Sequence, residues 1–151
     1  MTKRKIIYLI VAIIWICFIF GNSLLNGASS GRLSGGITEK VFKVLQSMHI
    51  NITLDTLHHL IRKGAHVTEY FLLGIIIFLN VYEYMKEPKY FISFSVAICL
   101  LISIIDETIQ TMVDGRSGNI VDVGIDSIGF LVSITILSII FIKRNKKEQT
   151  V

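Results

Sequence analysis

Long apolar runs separated by short polar connections organise this chain. Ile6 to Phe20 is apolar without interruption, and Gly21 to Leu25 can extend it. Further runs cover about 65–84, 90–113 and 120–142, with the only proline, Pro88, between the second and the third. About 20 helical residues are needed to cross a hydrocarbon core. The pattern therefore predicts an all-α membrane protein, a bundle of four transmembrane helices at about 6–25, 65–84, 90–113 and 120–142. No internal repeat or low-complexity tract interrupts it, so residues 1–151 are expected to form one domain.

The connection between the first two spans is the long one. It opens with a loop rich in Gly and Ser, Gly27 to Gly36. Ile37, Val41, Val44, Leu45 and Met48 then fall on one helical face, with Glu39, Lys40, Lys43 and Gln46 elsewhere. That spacing predicts an amphipathic helix lying at the membrane interface; a helix packed over the bundle mouth is the alternative. Asn51-Ile52-Thr53 forms a glycosylation sequon, a triplet common by chance.

Composition agrees with the pattern. Apolar residues make up 52% of the chain and charged ones 17%, where a water-soluble domain carries about a quarter charged. The net charge of +4 does not imply nucleic acid, because the cations gather at span ends without a recognition motif. Lys3, Arg4 and Lys5 precede the first span, Lys143, Arg144, Lys146 and Lys147 follow the fourth, and Lys86 and Lys89 sit between the second and third. By the positive-inside rule both termini are expected in the cytoplasm and the protein in the cell membrane as a multi-pass chain. Arg32, Lys40, Lys43, Arg62 and Lys63 oppose this, but on a longer segment that also holds Glu39 and Asp55. The basic start and the apolar stretch after it have the shape of a signal peptide, yet no clean cleavage site follows, so a retained signal-anchor helix is expected. Cys17 and Cys99 both fall inside apolar runs and read as buried thiols.

The polar residues within the spans carry the functional signal, since charge inside a membrane is costly. Lys63, His66, Glu69 and Tyr70 open the second span. Asp106, Glu107 and Gln110 close the third, and Asp122 and Asp126 open the fourth. Consecutive spans alternate in direction, so all three stretches lie at one membrane face whichever way the chain is inserted. His66 and Tyr70, Asp106 and Gln110, and Asp122 and Asp126 are each four apart and share a helix face. Hydrogen-bonded glue between helices is the plainer explanation, but groups of both signs together with a histidine exceed what packing needs. Gly115 and Gly118 flank Arg116 in a turn-forming connection expected to make a tight hairpin between the third and fourth spans. Arg116 suits a phosphate or carboxylate; a salt bridge to Asp114 or Asp122 is the competing reading. Gly124 and Gly129 offer close approach to a neighbouring helix.

These residues resemble the VanZ-like family, named for a protein associated with teicoplanin resistance, over nearly the whole chain. The resemblance rests on Trp15 with the exit Ile19-Phe20-Gly21-Asn22-Ser23, on Lys63-x-x-His66-x-x-x-Tyr70, on Asp106-Glu107-x-x-Gln110, on Gly115-Arg116-Ser117, and on Asp122-x-x-x-Asp126-x-x-Gly129. Asp126 stands where the family pattern has Asn, which adds a potential charge. The resemblance implies a bacterial cell-envelope protein with a link to antibiotic resistance, specifically glycopeptide tolerance, and implies no reaction.

Three functions compete on this reading. The first is an envelope protein whose cluster binds an anionic lipid or a lipid-linked cell-wall precursor, with Lys63, Arg116 and His66 holding the anion and Asp106, Glu107 and Asp122 orienting those cations. The second is a membrane-embedded hydrolase or transferase acting on a lipid head group, with His66 or Glu107 as general base; a metal on His66, Glu69, Asp106 and Asp122 is open, although the spacing is no recognised ligand signature. The third is a structural or regulatory subunit. A transporter is disfavoured by the small number of spans and the lack of paired broken helices. No cofactor motif is present and none is expected; the oligomeric state is not legible.

Overall fold

The computed structural model describes residues 2–25, 27–116 and 118–148, with 27–34 and 148 as backbone only. Five helices follow one another: α1 (Lys3–Leu24), α2 (Gly27–Ser47), α3 (Leu54–Tyr82), α4 (Pro88–Thr111) and α5 (Ile120–Glu148). Among the described residues there is no strand. Helices α1, α3, α4 and α5 are each long and apolar enough to cross a membrane. The expected four-span bundle with an additional helix after the first span is what forms.

Helix α3 is the centre of the bundle and touches each of the other four. Its closest partner is α5, and two glycines explain why. A Cβ on Gly74 would come within 2.9 Å of the Phe130 Cα, and one on Gly129 within 2.9 Å of the Phe71 amide nitrogen, so the two backbones approach where neither carries a side chain. Of the expected glycine pair only Gly129 does this; a Cβ on Gly124 would meet nothing within 4 Å.

The core between the spans is built from Tyr70, Leu73, Phe78, Phe91, Cys99, Phe130 and Ile134, all essentially sealed. Phe78 meets Phe91 and Phe141 edge-on at 5.2 and 5.4 Å, in the T-shaped geometry that aromatic quadrupoles favour. Ile14, Leu101, Ile128 and Ile139 instead face outward, while Ser95, Ser103, Asp106 and Asp126 are inside. Such inverted polarity suits lipid surroundings, where apolar side chains meet acyl chains and polar ones must be satisfied within the protein. Cys99 is buried as expected, but Cys17 is exposed on the outside of α1; an apolar run does not tell which of its faces looks inward.

Three boundaries differ from the sequence reading. Helix α3 starts at Leu54 rather than near Ala65, because the Thr53 side chain accepts the Thr56 amide at 3.2 Å and Asp55 sits in the first turn, a capped and dipole-matched start. Hydropathy misses this turn because Asp55, His58, His59 and Arg62 dilute it. The sequon threonine is thus a helix cap. Replacing it, Thr53→Ala, is expected to cost about 1 kcal/mol, measurable as a lower unfolding midpoint in detergent, with the helix content unchanged. Second, Gly27–Gly36 is helical and not a loop: glycine and serine are weak helix formers, but propensity is a weak prior, and at a membrane surface internal hydrogen bonds are favoured over unpaired backbone. Third, α5 continues past residue 142 to Glu148.

Helix α2 lies along α3, with Thr38 buried. Its Ile37 and Val44, and Met48 just beyond its end, are exposed, so its apolar residues are available to lipid, as an interfacial helix requires.

The two ends of the bundle have opposite character. At one end the Arg4 guanidinium pairs with Glu83 at 2.8 Å, the Tyr82 hydroxyl donates to Asn145 at 2.9 Å, and Lys5 and Lys86 lie over the Tyr84 and Tyr82 rings. The start of α1 and the end of α5 therefore share this basic, aromatic end. The other end holds the start of α3, the end of α4 and the start of α5, and with them the polar residues singled out above.

Candidate functional site

Four helices supply the polar end. Lys63, His66 and Tyr70 follow one face of α3, and Glu69 flanks it. Ser103, Asp106, Glu107 and Gln110 follow one face of the last turns of α4, all of them buried. Asp122 and Asp126 sit one turn apart at the start of α5. Asn22 and Ser23 close α1 over the group.

The contacts sort these side chains into linked sets. Lys63 forms an ion pair with Asp122, both ends about a fifth to a quarter exposed. Asp106 accepts from Ser23 on one oxygen and from the Gln110 amide on the other at 3.2 Å; Gln110 also reaches the Ser23 hydroxyl at 3.3 Å. Together they fasten α1 to α4. Glu69 accepts from the Asn22 amide at 2.9 Å while its backbone carbonyl accepts from the Trp15 indole at 3.2 Å, fastening α1 to α3. Asp126 accepts from Ser103 at 2.7 Å, and Glu107 accepts the Asn119 backbone amide at 2.9 Å. His66 Nδ1 stands 3.4 Å from Asp126. Tyr70 is sealed, and its hydroxyl is buried without a hydrogen-bond partner.

Arg116 turns to α1, away from Asp114 and Asp122. Its Nε donates to the Leu25 carbonyl at 2.9 Å and one terminal nitrogen to the Asn22 carbonyl at 2.7 Å. It thereby caps the orphan carbonyls at the end of α1, a favourable place for a cation. Burial, and the nearby charge of Arg62, pull its pKa below the ordinary arginine value, and it remains a cation at neutral pH. The connection that carries it bends as the sequence implies, with Gly115 at φ 75° and Gly118 packed so tightly on α4 that a Cβ would lie 2.9 Å from the Thr111 amide nitrogen. Ser117 of the Gly-Arg-Ser motif lies outside the described residues.

A cleft of about 260 Å³ opens above these sets, between the end of α1, α2 and the start of α3. Arg62, His66, Glu69, Arg116, Asn22 and Ser23 supply its polar wall, and Leu25, Ile37, Ile61 and Ala65 its apolar one. A shallow groove of about 380 Å³ between α1 and α3 shares Asn22, Ala65 and Glu69 with it and runs on past Trp15, Phe18 and Leu72.

Lys63, His66, Glu69, Tyr70, Asp106, Glu107, Gln110, Asp122 and Asp126 are thus brought together in one end of the bundle, with Arg116 at the rim on the α1 side. Arg62, Asn22, Ser23 and Ser103 join them. Arg62 was legible only as a loop cation, although it lies four residues before His66 and so shares its face; Ser103 lies three before Asp106. One ligand atom from each of His66, Asp106, Glu107 and Asp126 falls within 4.8 Å of the others. Glu69 and Asp122 are not in that quartet, being held by Asn22 and Lys63.

No curated protein and no solved structure matches the chain. The family model described as VanZ/LLP1 matches residues 7–141, from the first span through all but the last turns of α5, and with that extent the chain belongs to the VanZ/LLP1 family.

Proposed function

We propose that this chain is a multi-pass protein of the bacterial cell envelope that holds the anionic head group of a lipid, or of a lipid-linked cell-wall precursor, in the cleft bounded by Arg62, His66 and Arg116. The observation that carries this reading is the pairing of that cleft with the groove between α1 and α3. Two guanidinium groups and an imidazole converge where a phosphate would sit, and a fork of N–H donors is suited to phosphate oxygens. The groove past Trp15, Phe18 and Leu72 gives the attached chain an apolar path on the lipid-facing side. Arg116 is preorganised by the α1 carbonyls, so little side-chain freedom is lost on binding.

Orientation supports the same reading. The basic end of the bundle, with Lys5, Lys86 and the helix termini, belongs in the cytoplasm by the positive-inside rule, which turns the cleft toward the exterior, where glycopeptides meet their targets. Sequestering or presenting a precursor there would alter teicoplanin tolerance.

The reading is tested by lipid copurification. Arg62→Gln removes a cleft cation that anchors no helix end and is expected to lower phospholipid or precursor recovered per mole of protein roughly tenfold, the effect of about 1.4 kcal/mol from one charge-assisted contact. Arg116→Lys keeps the charge, loses the fork, and should give a similar drop. Tolerance to teicoplanin in cells expressing each variant should fall in parallel. Unchanged lipid recovery in both variants, with protein levels equal to the parent, sinks the proposal.

A further inference from the structure

The polar end holds a second, deeper feature that a lipid head group does not explain. Asp126 is completely sealed and Glu107 is 5% exposed, yet each has one carboxylate oxygen without a hydrogen-bond partner, Oδ1 and Oε1 respectively. His66 Nδ1 is likewise buried and without a hydrogen bond. His66 Nδ1 and Asp126 Oδ1 face one another at 3.4 Å. An unmet acceptor in a low-dielectric interior costs of the order of 1–3 kcal/mol or more, so unbonded oxygens on both Glu107 and Asp126 beside this histidine are not what packing alone would leave.

The opposite oxygens of Asp126 and Glu107 are fixed, and both oxygens of Asp106 accept hydrogen bonds. Ser103 holds Asp126 Oδ2 and the Asn119 amide holds Glu107 Oε2, while Ser23 and Gln110 hold Asp106. That is the arrangement of a metal site, in which outer donors aim the ligands and leave an inward lone pair open. Lys63 pairs with Asp122 and also lies within electrostatic reach of Glu107 and Asp126, so this one lysine is shared between Asp122 and the buried carboxylates.

We infer that His66, Asp106, Glu107 and Asp126 form a site for a single divalent cation of the first transition row. The geometry is close to what such an ion needs. Ligand atoms lie within 4.8 Å of one another; around an ion at about 2.1 Å, opposite ligands are roughly 4.2 Å apart and neighbouring ones roughly 3.0–3.4 Å, so the side chains draw in by torsion when the ion binds. Three carboxylates and one imidazole are a mainly hard donor set with one borderline nitrogen, which suits manganese or zinc better than a thiolate-seeking ion. Against two positive charges, three carboxylates leave a single negative charge, in place of the three that would repel one another in the bundle interior. The inference shares His66 with the lipid reading but is tested apart from it, since the ion is detected with no lipid offered.

The test uses the full chain purified in detergent, stripped with EDTA, and offered manganese(II). One ion per chain is expected, and pulsed EPR of the bound manganese should show coupling to a histidine nitrogen. Asp126→Asn and Glu107→Gln keep shape and hydrogen-bonding reach but remove a charged ligand, and each should weaken binding by at least roughly 10–100-fold; Glu83→Gln, at the opposite end of the bundle beside Arg4, should bind as the parent does. Absence of stoichiometric manganese in the parent overturns the inference, as does full-strength binding by Asp126→Asn. Should the quartet variants fail to accumulate, the parent's own spectrum decides: a nitrogen coupling supports the site, and its absence overturns it.

Discussion

Gly129→Val is expected to prevent the bundle from assembling, whereas Gly124→Ala, one turn and a residue earlier on the same helix, should be tolerated. A side chain at 129 would overlap the Val67 carbonyl oxygen and lie 2.9 Å from the Phe71 amide nitrogen. Both obstacles are α3 backbone, which cannot rotate aside as a side chain can. Helices α3 and α5 would have to separate, loosening Phe130 and Ile134 in the core and drawing Asp126 away from His66. Overpacking that side chains can absorb costs about 1–3 kcal/mol; here the backbone must move, and a loss of roughly 3 kcal/mol or more is expected. At Gly124 a Cβ meets nothing, and alanine should gain up to about 1 kcal/mol of helix propensity. Thermal unfolding of the two variants in detergent, followed in a Cys17→Ser background by a thiol-reactive dye at the buried Cys99, measures both. If Gly129→Val melts with the parent, the close α3–α5 contact is not real.

What the sequence made legible, and what it did not, follows from the range of the signal. Hydropathy is local, so four spans could be placed, and the alternation of span direction put Lys63, Asp106 and Asp122 at one face without any knowledge of packing. Partner choice depends on how each helix is rotated about its axis, which local pattern does not encode. Lys63 could as well have met Glu107 as Asp122; Arg116 could have met Asp114 in place of the α1 carbonyls. The same limit hid Gly74, an ordinary glycine in an apolar run until Phe130 is set against it, and made Gly124 look equal to Gly129. Small donors were missed for a different reason. Ser23 and Ser103 carry no charge, so burial cost marks neither; Ser23 stood out only as part of the family motif that ends the first span, with no role, yet the buried carboxylates depend on both. The ligand quartet shows both effects, since Glu69 and Asp122 have the right chemistry at the right level and are turned instead toward Asn22 and Lys63.

The other large effect expected is at Asp106, and it separates scaffold from site. This carboxylate is 1% exposed and is the acceptor on which Ser23 of α1 and Gln110 of α4 converge. Asp106→Ala leaves the buried Ser23 hydroxyl and Gln110 amide facing a hole. The lost hydrogen bonds, the orphaned donors and the cavity together should cost roughly 3–4 kcal/mol, felt chiefly where α1 meets the rest of the bundle. Asp106→Asn retains an oxygen for one donor and fills the volume, so about 1 kcal/mol is expected from the weaker neutral hydrogen bond. Measuring both in EDTA removes any contribution from a bound cation, which would otherwise add to the loss by mass action. A disulfide engineered between the facing ends of α1 and α4 should then rescue Asp106→Ala if its defect is the loosened helix pair. Equal melting of Asp106→Ala and the parent in EDTA would show that the buried carboxylate contributes nothing to the fold, and its burial would then have to be explained by what it binds.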